Sequence, residues 1–206
     1  CNILKDGNTY YLYNHATARD KDKWKRTGYR LGVATAPHPL GPWKKYGGNP
    51  VLDLGAEGSW EGHHVACAAV IKEGADRFYM WYSAVGPRWS VGLATASSPQ
   101  GPWKKYGGNP ILDDFGYVGG VVKVAGRYHM YSEYPIGASS PDLGPFALAT
   151  AEKPEGPWQK YQDNPVLPPG EWGCWDDGGY SEAGVLYHDG VFHTFSTASF
   201  TPFSRF

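Results

Sequence analysis

What this sequence has little of narrows its function before any motif is read. It lacks a charge imbalance: 19 Lys and Arg against 20 Asp and Glu leave a formal net charge of -1. No positive excess is on hand for phosphodiesters or anionic lipid head groups, so neither nucleic acid nor a membrane surface is an expected partner. It lacks long apolar runs, and none approaches the roughly 20 residues that a bilayer-spanning helix needs. It is also poor in cysteine. Cys1, Cys67 and Cys174 stand far apart, in odd number and without a CxxC spacing, which argues against a zinc or redox centre and against a disulfide framework, one bridge remaining open.

Aromatic and turn-forming residues are what the sequence has in quantity. Nine Trp, 15 Tyr and 8 Phe accompany 28 Gly and 17 Pro in 206 residues, a composition suited to many short strands joined by tight turns. The length suits one domain with a sizeable core.

A repeat organises the chain. Gly41-Pro42-Trp43-Lys44-Lys45-Tyr46-Gly47-Gly48-Asn49-Pro50-Val51-Leu52 recurs almost unchanged from Gly101 to Leu112. A looser copy begins at Gly156-Pro157-Trp158 and closes with Asn164-Pro165-Val166-Leu167. Such a period marks a repeat architecture.

Each repeat divides into four pieces. A small, aliphatic run comes first: Asn2–Lys5, Cys67–Ile71, Gly119–Val124 and Ala183–Tyr187. Turns at Gly7, Gly74, Gly126 and Gly190 lead to an alternating aromatic run at Tyr10–Tyr13, Phe78–Tyr82, Tyr128–Tyr131 and Phe192–Phe195. Period-two alternation between turns predicts antiparallel strands. The third piece is Gly32–Ala36, Gly92–Ala96 and Ala147–Ala151, and the Gly-Pro-Trp element is read as a fourth, outer-edge strand, where proline's missing N–H costs no ladder bond.

Four antiparallel strands per repeat describe a blade of a β-propeller, and the expected fold is all-β, in a single domain. The blade units run roughly over 1–52, 60–112, 115–167 and 178–206. The first two strands occur four times and the last two only three times, so the chain reads as about three and a half blades of a longer protein. Trp43, Trp103 and Trp158 are expected to pack between blades at the rim rather than to bind ligand.

Residues just ahead of each first strand would converge at the channel mouth, where a propeller places a ligand. Alignment on the turn glycines puts Glu182 at that position in the fourth unit, Cys67 in the second and Val118 in the third. A lone carboxylate before a strand built for burial is costly unless paired or functional, which makes Glu182 the leading candidate.

The Ala-Thr-Ala, Gly-Pro-Trp and Asn-Pro-[Val/Ile]-Leu pattern resembles the five-bladed β-propeller glycosidases typified by glycoside hydrolase family 43 and its clan relatives. The resemblance covers most of the chain. It implies five blades in the whole protein, a carbohydrate substrate, and a secreted or periplasmic setting. No cofactor is implied beyond a calcium ion that fills the channel in some relatives, and no other metal site is expected.

It further implies an Asp general base on the first blade, an Asp on the third that orients and tunes the acid, and a Glu general acid on the fourth. Glu182 matches the acid. The base would fall immediately ahead of Cys1. The third-blade stretch, Tyr117-Val118-Gly119-Gly120, carries no carboxylate. Either Asp114 reaches in from the preceding loop, or this protein lacks that residue and Asp113 and Asp114 are ordinary turn residues.

Two further clusters are candidates for sugar contact. Trp60-Glu61-Gly62-His63-His64 precedes the second unit's first strand and offers Trp60 and one of the two histidines. Strand alternation argues against both rings sharing one ligand. Glu171–Tyr180 leads into Glu182 and supplies Trp175 and Asp177, with a blade-covering loop as the plainer alternative. Trp89, beside Arg88, is a weaker candidate for the rim.

The expectation is therefore an inverting glycoside hydrolase acting on arabinose- or xylose-containing plant saccharides. A non-catalytic carbohydrate-binding propeller is the alternative. A glycoside phosphorylase would need a basic cluster for phosphate, and the channel-facing segments have none.

Overall fold

The computed structural model describes residues 2–17, 28–133 and 144–199, with the side chain of Glu182 outside that description. Among the described residues all regular structure is β, and no helix is long and apolar enough to cross a membrane. The fold is that of β-propeller blades, as the repeats predict. Blade 1 is β1 (Asn2–Asp6), β2 (Thr9–Ala16), β3 (Arg30–Ala36) and β4 (Lys44–Lys45), hydrogen-bonded in that order. Blade 2 is β5 (His64–Lys72), β6 (Phe78–Val85), β7 (Trp89–Ala96) and β8 (Lys104–Lys105), with β9 (Leu112–Asp113) also paired to β7.

Blade 3 is β10 (Tyr117–Val124), β11 (Arg127–Glu133), β12 (Phe146–Ala151) and β13 (Gln159–Lys160). A fourth sheet is the hairpin of β14 (Tyr180–His188) and β15 (Val191–Ala198). The chain forms two compact units, Cys1–Tyr117 and Val118–Phe206. The first holds blades 1 and 2, the second nearly all of blade 3 and the hairpin.

The fourth strand is shorter than the sequence suggests and begins after the Gly-Pro-Trp element. Ala34 and Thr35 pair with Lys45 and Lys44, Ala94 and Thr95 with Lys105 and Lys104, and Ala149 and Thr150 with Lys160 and Gln159. Gly41, Gly101 and Gly156 have φ of 90°, 92° and 100°. That conformation is open to glycine and lies outside the strand region, so each Gly-Pro pair turns the chain instead of extending it.

The recurrent spelling of each repeat has a hydrogen-bonding reason. The Asn49 side chain accepts from the Val33 amide and donates to the Val33 carbonyl, both at 2.9 Å. Asn109 does the same to Leu93 at 2.9 and 3.0 Å, and Asn164 to Leu148 at 2.8 and 3.0 Å. An amide side chain has the one donor and one acceptor side by side that this peptide requires. The following Leu or Ile then returns the chain to the sheet, where Leu52 bridges Leu31 and Leu167 bridges Phe146.

In the first unit the core joins Tyr13, Leu31, Val33 and Leu52 of blade 1 to Val65, Val70, Met80 and Tyr82 of blade 2. Burying each such side chain contributes roughly 1.5–3 kcal/mol. Trp103 packs against this cluster edge-on to Tyr13, with ring centroids 6.2 Å apart, and therefore sits between blades 1 and 2. Trp158 is buried beside Tyr128 of its own blade, 6.4 Å away. Both serve as scaffold.

Candidate functional site

The first strands of blade 2 and of the hairpin share an irregularity. In β5 the register with β6 shifts between Ala66 and Ala69, and in β14 the register with β15 shifts between Ser181 and Gly184. Both strands thus contain a β-bulge, a device that re-aims a side chain by leaving residues out of the ladder. Counting from the bulges aligns Cys67 with Glu182 and Ala68 with Ala183. Cys67 takes the left-handed φ of 50°. Such a conformation costs a non-glycine residue free energy and persists only where its surroundings hold it.

A second-strand residue of the preceding blade reaches each bulge. Tyr10, Phe78 and Tyr128 pair with Ala36, Ala96 and Ala151 at matching positions of their blades. Five residues further along are His15, Ser83 and Glu133. His15 Nδ1 accepts the Cys67 amide at 3.4 Å and lies 4.0 Å from its Sγ. Glu133 is only 5% exposed, and its Oε1 accepts the Ala183 amide at 3.1 Å. Ser83 is buried.

In the first unit, rings gather at the end of the blades where β5 begins. Tyr29 lies between His15 and His64, with centroids 5.0 and 4.8 Å away, and His63 is 4.2 Å from His64. The two histidine rings do lie together, against the alternation expected of them, because His63 precedes β5 and is placed by its own amide bond to the Val85 carbonyl. His64 Nδ1 accepts the Tyr29 amide at 3.0 Å. A cluster of imidazole and phenol rings of this kind, with His63 exposed, suits a polyhydroxylated ligand.

Ladder pairing places the other candidates of blade 2 along the same end. His64 is opposite Val85, Val85 opposite Trp89, and Ser90 opposite Asp113. At about 4.8 Å per strand this row sets Asp114 roughly 15 Å from His64, at the outer edge. Asp114 is about half exposed, has φ 51°, donates its amide to the Trp89 carbonyl and faces Arg88 at 3.5 Å. The Trp89 ring meets Tyr117 edge-on at 4.4 Å.

Trp60 packs on Tyr82, 6.0 Å between centroids, and against the core. Both rings occupy the space above Gly92, where a Cβ would come within 2.3 Å of Tyr82 and 2.7 Å of Trp60. Its neighbour Glu61 is 8% exposed, accepts the Tyr82 hydroxyl at 3.0 Å and pairs with Lys105 at 2.9 Å. Burial, with the Glu61 charge second, pushes the Tyr82 hydroxyl far above the ordinary tyrosine range.

In the second unit the loop before β14 is braced from within. The Asp177 carboxylate accepts the Gly173 amide at 2.9 Å, and Asp176 accepts the Tyr180 hydroxyl at 2.7 Å. Burial first, then Asp176, pushes the Tyr180 hydroxyl up to about 12. The Trp175 indole is 70% exposed. Glu182 lies in the β14 bulge, and its side chain is outside the described atoms. Among the described residues no three His, Cys, Asp or Glu side chains are placed to hold a metal ion.

Sequence reading did not single out His15, Tyr29 or Glu133. Period-two alternation places His15 on the face of Tyr13, and Glu133 on that of Tyr131. The pattern held that signal, but the bulges they serve lie 52 and 50 residues away.

The propeller-blade fold is shared with a set of solved structures, glycoside hydrolases among them. One similar structure, an RGII complex of BT0996, has a TM-score of 0.72 at 18% identity, covering 95% of this chain and 60% of that one. Another is Zg3597, a family 117 glycoside hydrolase of the marine bacterium Zobellia galactanivorans, with a TM-score of 0.65 at 19% identity, covering 95% and 64%. A glycosyl hydrolase from Bacteroides ovatus has 0.67 at 16%, covering 96% and 59%. No protein-family model and no curated protein matches the sequence. The chain spans about three-fifths of the length of these solved structures. At these identities the likeness is one of fold.

Proposed function

We propose that the whole protein is an inverting glycoside hydrolase acting on arabinose- or xylose-containing plant saccharides, with Glu182 as general acid. The observation that carries this reading is the place of Glu182, in the bulge of a first strand and next to an amide held by the buried Glu133. Similar folds among glycoside hydrolases support it, as does the RGII complex of one similar structure.

In this reading the protonated Glu182 carboxyl gives its proton to the glycosidic oxygen as the bond from that oxygen to the anomeric carbon breaks. Water attacks the anomeric carbon from the opposite face and yields its proton to a carboxylate base, so configuration inverts. The resemblance to family 43 implies an Asp in that role. Within the first unit, His63, His64 and Trp89 are the candidates for contact with sugar hydroxyls and ring faces, with Asp114 at the outer edge of that blade; within the second, Trp175 and Asp177 belong to the loop that leads into β14.

Glu182→Gln in the whole protein is expected to lower turnover of arabinoside and xyloside linkages by about 10²-fold or more while leaving sugar binding intact. Wild-type turnover would remove Glu182 from the mechanism. A second reading, a non-catalytic carbohydrate-binding propeller, is favoured by the third-blade stretch. Val118 stands where an acid is expected, and a Cβ on Gly119 or Gly120 would meet Ala183 or Val185 within 2.5 Å. Sugar binding with no hydrolysis in the wild type would select it.

A further inference from the structure

We propose that Glu133 is the positioning residue for Glu182, acting as the hydrogen-bond acceptor that holds the Ser181–Gly184 bulge in place. This rests on the reading of Glu182 as the acid. A bulge takes its residues out of the ladder, and neither Glu182 nor Ala183 has a partner in β15. The Ala183 amide therefore has to find its acceptor elsewhere, since a buried N–H left without one is costly.

Glu133 Oε1 is that acceptor at 3.1 Å, and Ala183 itself is buried. Ala183 is also closely packed against β10. A Cβ on Gly119 would lie 2.4 Å from the Ala183 Cβ and 2.7 Å from its carbonyl oxygen. The segment bearing Glu182 is thus held by a side chain of β11 and packed on the bare backbone of β10.

The first unit repeats the device with different chemistry. There the equivalent second-strand residue is His15, and its Nδ1 accepts the amide of Cys67, the bulge residue aligned with Glu182 itself. The amide held differs by one position between the two bulges. What His15 and Glu133 share is a lone pair aimed at bulge backbone, although one is an imidazole nitrogen and the other a carboxyl oxygen. The acceptor is therefore the working feature of Glu133, and glutamine, which keeps an oxygen in that place, is the informative substitution.

The test compares Glu133→Gln and Glu133→Leu in the whole protein, reading kcat, KM and hydrogen exchange at the Ala183 amide. Leucine is expected to strip Ala183 of protection and to lower kcat about ten-fold or more with KM within about two-fold, since small displacements of reacting groups cost rate steeply. Glutamine is expected to keep both kcat and protection within about three-fold of wild type.

Unchanged kcat or unchanged Ala183 protection in the leucine variant would overturn the proposal, as would a glutamine variant as impaired as leucine. Should the leucine variant not fold, the Ala183 amide proton shift of the glutamine variant decides. It is expected to move with the change from carboxylate to amide acceptor, and an unmoved resonance overturns the bond. Full activity of Glu182→Gln would remove Glu182 as the acid and with it the reading this proposal rests on, whereas the exchange measurement reports independently of turnover on whether Glu133 holds the bulge.

Discussion

Glu61 illustrates how single residues acquire meaning here. In the sequence it is one acid in a loop; in the fold it is buried and held by the Tyr82 hydroxyl and Lys105. Removing a donor from a buried carboxylate leaves a desolvation cost, so Tyr82→Phe is expected to destabilise the protein by about 1–3 kcal/mol, measured as a lower urea midpoint at pH 7. Tyr180 permits a pH test. Its folded pKa of about 12 lies above the unfolded value of 10.0. Its contribution is therefore fully present below about pH 10 and is lost as pH rises through 12. The stability difference between wild type and Tyr180→Phe is expected to shrink between pH 9 and pH 12 in urea titrations, and a constant difference would contradict the raised pKa. Trp60, legible as a sugar-stacking candidate, rests on Tyr82 above Gly92, a partnership made by residues more than 20 positions away.

At the level of elements, the repeat supplies a strand-locking side chain in each blade. Replacing Asn49 or Asn109 by leucine deprives the Val33 or Leu93 amide of its acceptor. Each change is expected to cost about 1–3 kcal/mol. Asn109→Leu should cost more, because Asn109 also donates to the Tyr82 hydroxyl at 3.2 Å and so supports the Glu61 network. Paired urea titrations of the two variants measure this, and equal losses would show that the network does not couple to the clamp. The first three strands of each blade were legible from alternation and turn glycines. The bulges were not, because a bulge changes the pairing of two strands without changing the hydrophobic pattern of either.

For the molecule as a whole, the near balance of charge governs encounter. With a net charge of -1 on this chain and, in the glycosidase reading, neutral pentose-containing substrates, long-range steering has little to act on. In the glycosidase reading, kcat/KM is expected to change by less than about two-fold between 50 and 500 mM salt. A steep salt dependence would point instead to a charged saccharide. The chain spans about three-fifths of the solved structures it resembles, and its residues form two compact units.

The order of strands, the number of blades and the place of Trp103 between two blades followed from local pattern, because alternation, turn glycines and a repeated motif are written within a few residues of one another. Placement of Glu182 in a bulge, the capture of that bulge by Glu133, and the assembly of His15, Tyr29, His63 and His64 into one cluster came from tertiary structure alone. Each depends on backbone groups meeting partners from other strands and loops, and on burial that turns an ordinary acid or imidazole into a required acceptor.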